Sequence, residues 1–99
     1  MAPFRFEQST EFQRWLARLD RQTVYKIMAV ILRLQNGLGD TKRIKGTKFE
    51  ELRIHVGPGY RVYFYRSQGV VIFLLAGGDK GTQSRDIAKA KDIFKGLEK

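Results

Sequence analysis

Leu52 to Phe64 reads LRIHVGPGYRVYF, and its apolar/polar alternation on either side of Gly57-Pro58-Gly59 predicts a β-hairpin. With a three-residue turn and Gly59 at positive φ, the cross-strand partners follow: Val56 with Tyr60, Ile54 with Val62, Leu52 with Phe64. These make one apolar face. The opposite face pairs His55 with Arg61 and Arg53 with Tyr63, because successive side chains of a strand point to opposite sides. Like charges placed opposite each other destabilise a ladder, so this second face asks for an anionic neighbour.

Working outward, Phe4 and Phe6 alternate with Arg5 and Glu7, which predicts a short first strand. Thr10 and Gln13 have the spacing of a capping box, and Phe12, Trp15, Leu16 and Leu19 recur at helical intervals, giving a helix from about Thr10 to Leu19. Asp20 can cap a second helix with the stripe Val24, Ile27, Met28, Ile31 and Leu34, ended by Gly37. Asn36 to Phe49 reads as a basic loop with Lys42, Arg43, Lys45 and Lys48, with room for a short extended stretch. After the hairpin, Ser67-Gln68-Gly69 turns the chain into Val70 to Leu75, apolar on both faces and therefore expected inside the sheet. Ala76 to Gly81 is expected to break that strand. Thr82 or Ser84 then opens a last helix carrying Ile87, Ala90, Phe94 and Leu97 on one side. The expected order is β-α-α-β-β-β-α in a single α+β domain spanning residues 1–99, with a mainly antiparallel sheet packed against helices.

Composition narrows the function. The 99 residues hold 42% hydrophobic side chains, including seven Phe, four Tyr and one Trp, enough for one core and unlike a disordered chain. Nineteen Lys and Arg against ten Asp and Glu leave a net charge of +9, which suits nucleic acid, anionic lipid or an acidic protein. There is no cysteine and a single histidine, so disulfides and Cys-based zinc are excluded, and no metal or other cofactor is expected. No apolar run approaches bilayer length and no signal-peptide pattern opens the chain, so no membrane association and a cytoplasmic location are expected.

Arg53, His55 and Arg61 on one hairpin face, with Lys80 where the next strand ends, form the candidate catalytic cluster. No equal number of acids lies near them in this reading. An arginine fork matches phosphate oxygens, and an ammonium crowded by cations releases its proton more readily than an isolated one. Imidazole titrates near neutrality, so His55 can serve as acid or base. Together these groups suit metal-free phosphodiester chemistry, with a solvated basic sheet face as the competing reading. Tyr63, on the same face, is a candidate for stacking an RNA base, whereas Tyr60 belongs to the core face. Lys42, Arg43, Lys45 and Lys48 suit phosphate-backbone steering or ordinary solvated loop charge. Gly77 to Thr82 lacks the spacing of a nucleotide-triphosphate loop, although Lys80 and backbone N–H groups there can meet a single phosphate.

GDTKRIKG at Gly39 to Gly46, ELRIHVGPGYRVYF at Glu51 to Phe64 and LLAGGDKGTQSRDIAKAKDI at Leu74 to Ile93 resemble the RelE/ParE superfamily of toxins from type II toxin–antitoxin modules. The likeness is to the HigB-like addiction-module killer branch, and it extends to FxxWL at Phe12 to Leu16. It implies a RelE-like fold and a ribosome-dependent mRNA endoribonuclease in which the RNA 2′-hydroxyl attacks the adjacent phosphate without metal. By this resemblance Arg61 stands for the arginine of the family's Tyr-Arg motif, Arg53 and His55 for the preceding strand's cations, and Lys80 for the basic residue after the last strand. Gln83 and Arg85 would contact phosphate. The C-terminal tyrosine or histidine of some relatives has no counterpart. The implied partners are the ribosome, mRNA and a cognate HigA-like antitoxin with a helix-turn-helix domain, through which the complex would reach operator DNA. Two alternatives stay open: a ParE-like DNA gyrase inhibitor without nuclease activity, and a non-catalytic basic RNA-binding module.

Overall fold

The computed structural model describes residues 5–67 and 71–97. Phe4 of the expected first strand, and Gln68, Gly69 and Val70 of the expected turn and strand start, lie outside them. Strand β1 (Arg5–Gln8) leads into helices α1 (Thr10–Ala17) and α2 (Arg21–Leu32), then a 3-10 turn at Arg33–Asn36. Strands β2 (Asp40–Arg43), β3 (Glu50–Ile54), β4 (Tyr60–Ser67) and β5 (Val71–Asp79) follow, and a second 3-10 turn (Lys80–Thr82) opens α3 (Gln83–Leu97). The sheet runs β1-β5-β4-β3-β2, antiparallel except where β1 lies parallel to β5. This is the α+β fold that the sequence predicts, with the four-residue β2 lying in the basic loop that has room for a short extended stretch. Among the described residues no helix is long and apolar enough to cross a membrane.

Local chemistry explains the element ends. The Ser9 Oγ, rather than Thr10, accepts the Phe12 N–H at 2.9 Å and caps α1. Asp20 caps α2 as expected, accepting the Thr23 N–H at 2.8 Å, and that bond is the main reason its carboxyl titrates below the usual value. Gly37, at φ +72°, closes the following 3-10 turn in the left-handed region. At the last helix, neither Thr82 nor Ser84 begins the element. Asp79 caps the 3-10 turn by accepting the Gly81 N–H at 2.8 Å, and α3 continues from it.

The hairpin register differs from the expected one. Leu52 pairs with Val62, Arg53 with Arg61 and Ile54 with Tyr60, so Val56 and His55 have no partner in the ladder. The cause is a wider loop: the Gly59 N–H donates to the Val56 carbonyl at 2.9 Å, with Gly57 at φ +55° and Gly59 at φ +94°. Pro58 between them offers no N–H to pair. Each partner moves by two residues, an even shift, so the faces survive and only the pairings change. Two arginines now sit directly opposite each other.

Each sheet face carries a core. On one, Phe12 of α1 and Ile27 and Ile31 of α2 pack against Leu52, Ile54, Val62 and Phe64. On the other, Ala90 and Phe94 of α3 cover Phe49, Tyr63, Leu75 and Ala76. Burying each large apolar side chain contributes about 1.5–3 kcal/mol. A register shift after Tyr63 lets Leu75 and Ala76, adjacent in β5, both join the second core. Contrary to expectation, Gly77 and Gly78 do not end β5. They are strand residues with neighbours at close range, Trp15 of α1 against Gly77 and Asp86 of α3 against Gly78, where any Cβ would collide.

Candidate active site

Alternation places Glu51, Arg53, Arg61, Tyr63 and Gly78 on the α3 side of the sheet, since Glu51 pairs with Tyr63, Arg53 with Arg61, and Arg61 with Gly78. Helix α3 covers only part of that side. It enters over Gly78, where the absent Cβ admits the Asp86 carboxylate and Thr82. It then runs across Tyr63 and Tyr65, whose ring meets Phe94 edge-on at 4.8 Å. The end carrying Arg53 and Arg61 stays open.

There the structure brings together all four residues expected to be catalytic. Arg53, His55, Arg61 and Lys80 line one concavity of about 190 Å³ with Gly59 and Tyr60. Lys80 follows directly on β5, and its methylene stem passes beside Gly59, where an added Cβ would meet it at ordinary contact distance. Its ammonium has no ion-pair partner among the described residues. Lys80 also lines a second concavity of about 400 Å³ formed by residues 80–85, which includes Gln83 and Arg85.

One expectation is corrected: the cluster is not free of acids. Glu51 is 1% exposed; its Oε2 accepts from Arg53 Nε at 3.0 Å and from an Arg61 terminal nitrogen at 2.7 Å, and its Oε1 accepts from Gln83 Nε2 at 2.7 Å. The anionic neighbour that the opposed charges require is therefore a side chain of the same strand. Its hydrogen bond is the main reason the Arg53 guanidinium is held above its usual basicity. Each arginine meets Glu51 through a single nitrogen and retains further N–H donors. His55, with a side chain 77% exposed, is bonded through Nε2 to Asp40 Oδ2 at 2.9 Å.

Tyr63 is corrected too. It is fully buried beneath α3 and cannot stack a base. Its hydroxyl has no hydrogen-bond partner among the described residues. Burial first, then the Glu51 and Asp86 charges, push it well above the usual phenol pKa. The remaining basic candidates are dispersed. Lys42 and Arg43 lie on the sheet-edge strand β2, opposite Glu51 and Glu50, and Lys45 follows in the loop to β3. Lys48 lines a separate hollow of about 410 Å³ with Lys91, Phe94 and Lys95.

Glu51 is the residue that the sequence reading missed. The signal was present: extending the alternation of Leu52 to Phe64 one residue backwards puts Glu51 on the Arg53 face, at the i,i+2 spacing.

No family model matches the chain. An uncharacterized protein of Haemophilus influenzae is 49% identical over 82 residues, 81% of this chain and 82% of that one. Among solved structures, a free-state variant of the Escherichia coli toxin RelE superposes with a TM-score of 0.76 at 12% identity, covering 92% of this chain and 97% of that chain. The RelBE2 toxin–antitoxin complex of Mycobacterium tuberculosis contains a chain that superposes with a TM-score of 0.60 at 15% identity, covering 80% of this chain and all of that one.

Proposed function

This chain belongs to the family of the Haemophilus influenzae protein and has the RelE fold, and from that premise we propose that it is the toxin of a toxin–antitoxin pair and a ribosome-dependent mRNA endoribonuclease. The observation that carries this reading is the convergence of Arg53, Arg61 and Lys80, with His55, in one open concavity. In the proposed reaction the RNA 2′-oxygen bonds to the adjacent phosphorus, and the bond from phosphorus to the 5′-oxygen breaks. The products are a 2′,3′-cyclic phosphate and a 5′-hydroxyl. The 2′-hydroxyl surrenders a proton and the leaving oxygen takes one. Arg53 and Arg61 hold the phosphate and stabilise the charge that builds on its oxygens, while Lys80 and His55 are the groups that move protons. Arg85 and Gln83, beside Lys80 in the adjoining concavity, continue the track along the strand of RNA.

A cognate antitoxin is the expected partner, supported by the fold shared with a chain of the M. tuberculosis toxin–antitoxin complex. By resemblance it is a HigA-like helix-turn-helix protein. Mapping mRNA 5′ ends after brief induction tests the function. Cuts in phase with codons, abolished by Arg61→Ala and Lys80→Ala, support it. Growth arrest with intact messages and broken DNA would make the chain a gyrase poison instead, and both variants still arresting growth while folded would end the nuclease assignment.

A further inference from the structure

We infer that Glu51 is a positioning residue that clamps Arg53 and Arg61 into the geometry in which both can reach one phosphate. This rests on the endoribonuclease reading above and adds to it a residue that never touches RNA.

Arg53 and Arg61 face each other across β3 and β4, a pairing that repels and would splay the two side chains towards solvent. Both instead bond the same Glu51 oxygen, Oε2, at 3.0 and 2.7 Å. The other oxygen is held by Gln83 from α3 at 2.7 Å, so the carboxylate cannot turn about its axis without losing a bond. Three elements thus converge on one side chain. At 1% exposure it is too deeply set to meet a phosphate itself. The bonds use one nitrogen of each guanidinium, which leaves further donors of Arg53 and Arg61 for the concavity they line with Lys80. A carboxylate that only screened the two charges would weaken RNA binding and do nothing for the rate. One that aligns them acts on the rate, because a misplacement of about 1 Å costs on the order of 100-fold.

The test uses the full-length protein, wild type and Glu51→Gln, with a defined mRNA bound to ribosomes. Two further measurements accompany it: affinity for a 2′-deoxy oligonucleotide that cannot be cut, and the guanidinium Nε–H NMR signals of Arg53 and Arg61. For Glu51→Gln the saturating cleavage rate is expected to fall about 100-fold while oligonucleotide affinity changes less than about threefold. The two guanidinium signals should lose their dispersion and exchange rapidly. Should Glu51→Gln fail to fold, Glu51→Asp decides. It keeps the charge but shortens the reach, and is expected to cleave at least about tenfold more slowly with the same affinity.

A folded variant that cleaves at or above the wild-type rate overturns the inference and makes Glu51 a brake or a bystander. Unchanged guanidinium signals overturn it whatever the rate. Wild-type protein that leaves ribosome-bound mRNA intact is a different failure: it removes the endoribonuclease reading, and the effect of Glu51 on the rate with it, while the guanidinium signals still show separately whether the clamp exists.

Discussion

The two ends of one sheet face differ in everything except their strands. Tyr63 and Arg61 are neighbours on the same side of β4, yet Tyr63 is sealed under α3 while Arg61 lines an open concavity. At the covered end, Phe94 meets Phe49 at 6.0 Å and Tyr65 at 4.8 Å. At the open end, two arginines share a carboxylate, and Lys80 has no ion-pair partner among the described residues. Strand chemistry made the face. The path of α3 divided it into core and site.

If that division is right, substitutions at the two ends should fail in different ways. The largest expected effect is at the covered end: Phe94→Ala should lower unfolding free energy by about 3 kcal/mol in urea denaturation. The folded fraction should still cleave RNA within about threefold of wild type, and a collapse in its rate would erase the boundary between core and site. Next, Arg61→Ala should reduce cleavage about 100-fold, equivalent to about 2.7 kcal/mol of transition-state stabilisation, in a protein that keeps its folded circular-dichroism spectrum. A wild-type rate would remove the open end from the chemistry.

Tyr63→Phe sharpens the comparison with a smaller effect. It deletes a buried hydroxyl that has no hydrogen-bond partner among the described residues, so stability should hold or rise by up to about 1 kcal/mol, and RNA affinity should not change. Affinity loss would mean that Tyr63 reaches the RNA after all. The same variant carries a pH signature. Folding raises the Tyr63 pKa above its ordinary 10.0, so its contribution is fully present below pH 10 and is lost as pH rises towards the folded value. Tyr63→Phe should flatten that alkaline decline in a melting-temperature series. Smallest of all, Lys45→Ala should leave cleavage intact and reduce the salt slope of RNA affinity by about 0.7, the share of one phosphate contact. An unchanged slope would make Lys45 an ordinary solvated charge.

Much of the fold was legible because the relevant signals are local. The Leu52 to Phe64 alternation marked the hairpin faces, the stripe from Val24 to Leu34 marked α2, and Asp20 marked its cap. Where the reading failed, the deciding contact came from elsewhere in the chain. Gly77 and Gly78 look like strand breakers in a sequence, but they pair with Val62 and Arg61 in the sheet, and they are glycines because Trp15 of α1 and Asp86 of α3 fill the space their side chains would take. The sequence of β2 marks no more than a loop with room for a short extended stretch, because a four-residue edge strand rich in charge carries little pattern of its own, and pairing with β3 is what extends it. Among the candidate site residues, Arg53, His55, Arg61 and Lys80 could be grouped from strand alternation and the position of a strand end. Tyr63 could not be assigned correctly, because its exposure depends on which part of the face α3 crosses.

By itself, the order of residues determined the helix and strand types, the polar and apolar sides of the hairpin, and the excess of positive charge. Those follow from side-chain period and composition, which are properties of short segments. Only the folded chain decided which part of the polar side is buried, and that Gln83 of α3 would close on the glutamate between the two arginines. Both depend on distant segments meeting, and burial and charge pairing are set by what lies nearby in space.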